Sequence, residues 1–272
     1  MNVGVVATVA LAGAAYAAGV RRFDASHPRE RFARVRAWSF AAGLAVVLVA
    51  LVGPLDDAAA RRFSAHMGQH LLLTLVAPPM LLWGRPLMLA RRATPPRVRR
   101  AVASTLRTGA ARTLAHPVVA WSALALAMWA SHFTSLYEAA LRSDAVHAAE
   151  HALYLGAGVL FWLPVVAVEP SPWRLDHAAR VLYIFLALPA NALLAVALYE
   201  SRTVLYASYA GTGALEDQRV AAVVMWVAGG LLLVAAVLLV TVRWARAERY
   251  SRASPSRPSA KATAPTTSSH GA

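Results

Sequence analysis

The spacing of five histidines is the first feature of this sequence that suggests chemistry. His66 and His70 are four positions apart in HMGQH, His147 and His151 are four apart in HAAEH, and His132 lies between the two pairs. On a helix, residues four apart share one face, with Cβ atoms about 6 Å apart. Two imidazoles at that spacing can bind one metal ion, as they do in the zinc motif HExxH. The sequence therefore predicts a metal site built from His66, His70, His132, His147 and His151.

The residue types around these histidines favour copper, with zinc as the alternative ion. The chain has no cysteine, so the ligands on offer are imidazole, thioether and carboxylate; imidazole suits copper and zinc, and thioether favours Cu(I). Met67 lies inside the first pair and Glu150 inside the second, but helix neighbours point about 100° apart. Neither residue therefore necessarily faces the same ion as the histidines. Met67 is a candidate additional ligand because of its thioether, whereas Glu150 is expected to orient an imidazole from behind. A haem is the weaker reading, because an i, i+4 pair cannot serve both faces of one haem.

Acidic residues precede the first histidine pair in the sequence. Asp57 is a candidate for holding the loop beside the metal site, with helix capping as the default alternative, since carboxylates complement a helix N-terminus. Pro78-Pro79 and Pro189 are expected to kink their helices. Whether those kinks serve packing or act as hinges stays open at this level.

Composition predicts that these residues sit in a membrane protein. The 272 residues are 58% hydrophobic and only 15% charged, with a mean hydropathy of +0.50. Such a chain is too apolar for a soluble enzyme, a nucleic-acid-binding protein or a disordered protein, and a bilayer span needs about 20 apolar residues. The apolar runs are continuous rather than alternating, which favours helices over a barrel. The expected fold is all-α, an integral membrane bundle of seven transmembrane helices in residues 1–250, at about 2–20, 37–53, 66–89, 117–133, 147–168, 178–200 and 220–242.

The arginines predict the orientation of the bundle. With seven spans, 21 of the 27 basic residues fall on one side and five on the other. Because basic loops stay in the cytoplasm, the N-terminus is expected outside and the C-terminus inside, which also accounts for the net charge of +14 without a nucleic-acid partner. The five histidines then share the outer side. Residues 251–272 are rich in Pro, Ser, Thr and Ala and are expected to form a disordered cytoplasmic tail.

Four stretches carry a resemblance to a known family. They are GPLDDAAARRFSAHMGQHLLLTLVAPPMLLWGRP (53–86), HFTSLYEAALRSDAVHAAEHALYLGAGVLFWLPV (132–165), LYESRTVLYASY (198–209) and DQRVAAVVMWVAGG (217–230). Together they cover about residues 50 to 240, and the chain resembles the CtaG family of cytochrome c oxidase assembly factors linked with caa(3)-type oxidases. The resemblance implies a non-enzymatic, seven-helix protein of the bacterial plasma membrane that helps to mature a copper-containing terminal oxidase. Its expected partners are terminal oxidase subunits and membrane lipid.

Three hypotheses follow from these residues. In the first, copper binds at the outer histidines and passes to an oxidase subunit; direct binding is inferred from the histidines and not from the resemblance. In the second, three histidines and a water on zinc form a lipid hydrolase, with Asp57 or Glu150 as general base. In the third, the protein is a metal-free scaffold for oxidase subunits. Metal content and hydrolytic turnover discriminate among them.

Overall fold

The chain folds into a bundle of helices, as the computed structural model shows for residues 3–166 and 173–253. No strand occurs in those two ranges. The α-helices are α1 (Val3–Ser26), α2 (Arg34–Leu51), α3 (Pro54–Ala59), α4 (Phe63–Leu71), α5 (Ala77–Trp83), α6 (Pro86–Arg92), α7 (Pro96–Arg107), α8 (Gly109–Leu114), α9 (Pro117–Phe133), α10 (Ser135–Arg142), α11 (Asp144–Val166), α12 (His177–Phe185), α13 (Ala187–Tyr199), α14 (Ala214–Val223) and α15 (Gly230–Ala253).

Six stretches of helix are long and apolar enough to cross a membrane, or seven with one bent pair. The six are Val3–Ser26, Arg34–Ala59, Phe63–Arg92, Asp144–Val166, His177–Tyr199 and Ala214–Tyr250. The bent pair, Pro117–Phe133 with Ser135–Arg142, turns by 74° at its break. We number these stretches spans 1 to 7 in chain order, the bent pair being span 4. The all-helical fold and the multi-pass membrane location are thereby confirmed.

Several helices are longer than the apolar runs that predicted them. Span 3 begins at Phe63 and span 5 at Asp144, so both histidine pairs lie within the first two turns of their helices. α7 and α8 occupy the connection between spans 3 and 4, where no helix was predicted. The predicted end of the fifth helix at 168 lies outside the described residues. So does most of the predicted tail, residues 254–272.

The double proline in span 3 changes its hydrogen bonding without ending the helix. Pro78 has no N–H to donate to the carbonyl of Thr74, its partner in a regular α-helix. Leu72–Val76 form a π-helical turn at this point, and the indole N–H of Trp162 donates to the Thr74 oxygen at 3.0 Å. Span 5 therefore supplies the hydrogen bond that span 3 lacks.

Span 7 contains a second π-helical turn, Val224–Gly229, which is bonded in the same way. The side-chain amide of Asn191 in span 6 donates to the carbonyl of Met225 at 2.8 Å. Gly229 makes room for this contact, because a Cβ there would meet the Asn191 amide nitrogen at 3.0 Å. An intramembrane amide thus ties spans 6 and 7 together.

Small residues set the distances between the spans that flank the histidines. A Cβ on Gly158 of span 5 would meet the Thr74 carbonyl oxygen at 2.8 Å, and one on Gly43 of span 2 would meet Leu81 at 2.9 Å. The helices therefore approach closely at these points, as small residues permit in membrane bundles. Span 3 is packed between spans 2 and 5, which fixes the histidine pairs of spans 3 and 5 relative to one another.

Candidate metal centre

The five predicted histidines converge at one end of the bundle. His66 lies closest to the middle of the group, with ring centroids 4.4 Å from His70, 5.3 Å from His147 and 6.1 Å from His151. The ring of His132, from the end of α9, is 5.7 Å from that of His70. Spans 3, 4 and 5 each contribute at this depth, so side chains separated by up to 85 positions in sequence share one small volume.

Most of these histidines are buried, and several of their ring nitrogens have no hydrogen-bond partner. His66, His70 and His132 are 0–2% exposed and His151 is 7% exposed, whereas His147 is half-buried. Buried nitrogens without a hydrogen-bond partner are Nε2 of His66, His147 and His151 and both ring nitrogens of His70. A neutral imidazole has one N–H and one lone pair, so His70 can offer one of its two nitrogens to a cation. Buried polar atoms are nearly always paired, so such a concentration points to a bound group that these rings can coordinate.

The tautomer of His66 follows from its partner Tyr209. Burial raises the pKa of the Tyr209 hydroxyl above its ordinary value, so the phenol keeps its one proton. It donates that proton to the carbonyl of Ala59 at 2.8 Å and so must accept at 3.0 Å from Nδ1 of His66. Nδ1 therefore holds the hydrogen, and the lone pair of His66 is on Nε2, the atom that faces the cluster without a partner.

His132 has the same tautomer as His66, and its unprotonated nitrogen contacts a thioether sulfur. Its Nδ1 lies 2.7 Å from the Met128 carbonyl oxygen, which can only accept, so Nδ1 donates. Nε2 then has a lone pair and lies 3.3 Å from Sδ of Met67, which is fully buried. Two atoms that both lack a proton make no hydrogen bond. An imidazole nitrogen and a thioether sulfur side by side are the donor pair that Cu(I) favours.

Glu150 lies among the histidines, 3% exposed, with one oxygen unpaired. Its other oxygen accepts from the Tyr154 hydroxyl at 3.4 Å. Two groups have their potential ligand atoms within 4.8 Å of one another: His66 with His147 and His151, and His66 with His70 and Glu150. Glu150 is therefore placed to bind an ion directly, and not only to orient an imidazole as the sequence suggested. His66 belongs to both groups.

Of the two adjacent aspartates that precede the first histidine pair, Asp56 and not Asp57 lies beside the cluster. Asp57 is exposed in the first turn of α3. Asp56 accepts from the side-chain amide of Gln69 at 3.1 Å, and that amide also donates to the Ala50 carbonyl at 2.6 Å. Asp56 and Asp144 both interact electrostatically with His147. The half-buried His147 thus has two carboxylates around it at the rim of the cluster.

Tyrosines that were not among the predicted site residues form a wall of the cluster. The ring of Tyr137 in α10 lies 5.1 Å from that of His66, and the ring of Tyr154 lies 4.2 Å from that of His70. Tyr206 donates to the His132 carbonyl at 2.9 Å. Tyrosines close in sequence to the histidine-bearing helix ends, and in the connection before span 7, are the signal that could have indicated this wall in advance.

The connection that contains Tyr206 and Tyr209 is held by the start of span 7. Gln218 accepts from the N–H of Leu205 at 2.9 Å and donates to the carbonyl of Thr203 at 3.2 Å. Its neighbour Asp217 accepts from the N–H of Ser64 at 3.2 Å, so it caps α4, which contains His66 and His70. The Asp-Gln pair therefore positions both a wall of the cluster and one histidine pair.

The remaining histidines of the described chain lie away from the cluster. His27 stacks on Phe23 at 4.4 Å, His116 is edge-on to Trp173 at 4.6 Å, and His177 is edge-on to Trp244 at 6.3 Å. Only the histidines of the two pairs and His132 share the buried group.

Fold and cluster together define a multi-pass membrane protein with a buried, histidine-rich group of donor atoms at one end. A model of the cytochrome c oxidase caa3 assembly factor family matches residues 14–247. The chain belongs to this family, which confirms the resemblance inferred from the sequence.

Curated relatives are similar to the chain over most of its length. Uncharacterized proteins of Mycobacterium bovis and Mycobacterium tuberculosis are each 25% identical over 201 residues, covering 69% of this chain and 30% of the relative. An uncharacterized protein of Mycobacterium leprae is 25% identical over 254 residues, covering 88% of this chain and 38% of the relative. The chain thus spans about a third of the length of these relatives. No solved structure matches it significantly.

Proposed function

We propose that this protein binds copper at the five-histidine cluster and delivers it to a cytochrome c oxidase during assembly, without catalysing a reaction. The observation that supports this most directly is the group of buried ring nitrogens that lack any hydrogen-bond donor. An unpaired buried acceptor costs about 1–3 kcal/mol, and several of them at one point favour a cation that binds them jointly.

Donor chemistry favours copper over zinc at this cluster. Met67 and the free nitrogen of His132 lie 3.3 Å apart, and neither has a proton to give the other. A thioether is a soft ligand that suits Cu(I) and contributes little to zinc binding. Glu150, by contrast, would suit a divalent ion, so the same cluster offers a donor set to each oxidation state of copper.

The rim of the cluster suggests how the ion arrives and leaves. His147 is half-buried between the carboxylates of Asp56 and Asp144, which attract cations. His66 and His151 lie directly behind it, and His70 and His132 lie deeper. An ion can pass from the acidic rim to buried nitrogens in short steps, since adjacent rings are 4.2–5.7 Å apart. A partner that covers the rim would receive the ion along the same path.

We place the cluster on the outer face of the bacterial plasma membrane, with the N-terminus outside. The distribution of 21 basic residues on one side against five on the other supports this orientation. Because the chain has no cysteine, single cysteines report the topology cleanly. In intact cells, an impermeant thiol reagent should label Thr212→Cys and leave Ser104→Cys unlabelled; the opposite pattern would reverse the orientation.

Metal content of the purified full-length protein tests the proposal. We expect copper to be retained by the wild type and lost from the double variant His70→Ala/His151→Ala. The matched control is His116→Ala/His177→Ala, which removes two imidazoles away from the cluster and should retain copper. In cells, the first double variant should lower the copper content of the oxidase while its own membrane level stays normal.

Other outcomes would replace the proposal with one of two alternatives. Bound zinc together with lipid hydrolysis would indicate a hydrolase using three histidines and Glu150. A normal oxidase in cells whose assembly factor lacks all five histidines would indicate a metal-free scaffold. Full copper retention by His70→Ala/His151→Ala would refute the site itself.

A further inference from the structure

A second polar site lies at the opposite end of the bundle from the histidines. An open cavity of about 720 Å³ is lined by Glu30, Arg36, Arg85, Met88, Arg91, Arg92, Arg99, Arg100, Ala103 and Arg107. Arg85 lies 15 residues beyond His70 in span 3, a distance of about 22 Å along a helix. Seven arginines therefore surround one concave space that has no part in the metal centre.

Charges in this cavity are strongly unbalanced. Glu30 is the only acidic residue among its described lining residues, and it lies 3.7 Å from the guanidinium of Arg92. Arg36 and Arg85 are half-buried, whereas the other five arginines are exposed, and these two are close enough to interact electrostatically. Like charges held together at a half-buried point are unfavourable unless an anion lies between them.

The backbone at Arg85 is held in an unusual conformation. Arg85 has φ 52° and ψ 48°, the left-handed region, and it is the only non-glycine residue with positive φ in the described chain. The ring of Tyr16 stacks on Phe40. Its hydroxyl donates at 2.8 Å to the carbonyl of Gly84, the residue before Arg85. A Cβ at Gly84 would meet Phe40 at 2.7 Å. Strained residues braced in this way recur at ligand-binding points.

Three separate chain segments bring arginines to the same space. Arg36 lies in the first turn of span 2, Arg91 and Arg92 end α6, and Arg99, Arg100 and Arg107 belong to α7. α7 has no buried residue, and its three arginines that line the cavity are exposed. A signal for membrane orientation requires only basic residues near the membrane; it does not require that they converge on one cavity.

We propose that this cavity binds a ligand with two or more phosphate groups. Guanidinium groups bind phosphate through paired hydrogen bonds. Arg92 is paired with Glu30, and the six other arginines of the cavity carry more positive charge than one phosphate group can neutralise. Both a lipid headgroup with two phosphate groups and soluble pyrophosphate present this chemistry. Basic pockets at the membrane surface are known to bind lipid headgroups of this kind.

Paired arginine variants of the full-length protein test this site. Arg99→Gln/Arg100→Gln removes two charges from the cavity. Arg97→Gln/Arg112→Gln removes two charges from the same connection, but neither residue lines the cavity. All four residues are outside the spans, and thermal unfolding of each variant verifies that it folds.

Two binding measurements distinguish the sources of phosphate. Calorimetry with inorganic pyrophosphate, on protein in nanodiscs of neutral lipid, measures the soluble source. Native mass spectrometry of protein from nanodiscs containing cardiolipin, or phosphatidylglycerol at equal total charge, measures the lipid source. We expect the cavity variant to bind pyrophosphate, cardiolipin or both about tenfold more weakly than the wild type, and the control variant to bind them about as well as the wild type. Equal losses in both variants, or no preference for cardiolipin and no pyrophosphate binding in the wild type, would overturn the proposal.

Discussion

Substituting Gly158 by alanine should loosen the contact between spans 3 and 5. The new Cβ would lie 2.8 Å from the Thr74 carbonyl oxygen and 2.9 Å from Cγ of Pro78, well inside the 3.4 Å at which ordinary contact begins. Both neighbours belong to a helix, so neither can rotate away as a flexible side chain would. The spans must therefore move apart or Thr74 must lose the hydrogen bond from Trp162.

A matched variant separates this clash from the intrinsic effect of alanine. Gly156 is in the same helix, and a Cβ there would meet nothing within 4 Å. Alanine is favoured over glycine in a helix by up to about 1 kcal/mol, whereas overpacking costs about 1–3 kcal/mol. Gly156→Ala should therefore be neutral or stabilising, and Gly158→Ala should destabilise by about 1–2 kcal/mol.

Thermal unfolding in detergent, followed by circular dichroism, measures the difference. A change of 1 kcal/mol shifts the midpoint by about 2–4 °C in a protein of this size, so the two variants should differ by several degrees. Gly158→Ala should also weaken copper binding, because its helix positions His147 and His151. Equal midpoints for the two variants would refute the close approach of spans 3 and 5.

Further predictions concern single side chains around the centre. Trp162→Phe leaves the Thr74 carbonyl without its donor and should lower the free energy of unfolding by about 1 kcal/mol, which lowers the unfolding midpoint. The control variant Trp83→Phe changes an exposed indole and should have little effect on that midpoint. Met67→Leu keeps the volume but removes the sulfur, so Cu(I) affinity measured by chelator competition should fall about tenfold and zinc affinity should not change; an equal loss for both ions would exclude the thioether as a ligand. Glu150→Gln should weaken divalent ions about 10–100-fold and Cu(I) much less, and the reverse order in the same titrations would contradict its placement as a ligand.

Local features of the centre were readable from the sequence. Each histidine pair is an i, i+4 pattern on one helix, and the arginine count grouped both pairs with His132 on one side. Contacts between elements were not readable in this way. Met67 was not expected to face the same ion as His66 and His70, because neighbours on a helix point in different directions. In the structure its sulfur contacts His132, a histidine of another span. Asp57 was favoured over Asp56 because sequence position cannot tell which carboxylate a short helix turns toward Gln69.

The hydrogen bonds that fix the imidazoles came from distant parts of the chain. Tyr209 is 143 residues from His66, in a connection that Gln218 holds in place. The π-helical turns were likewise not predicted, although the sequence shows that Pro78 has no N–H to donate to the Thr74 carbonyl. The donor that replaces it, the indole of Trp162, belongs to another span and could not be identified from the local sequence.

Sequence alone determined that this chain crosses the membrane several times and that two histidine pairs lie on helix faces, because hydropathy and helical periodicity are local properties. The tertiary structure decided that five imidazoles, a thioether and a carboxylate meet, and which ring nitrogens are free. It did so because distances between helices depend on side-chain volume at a few crossing points, such as Gly158, and on hydrogen bonds between segments far apart in the chain.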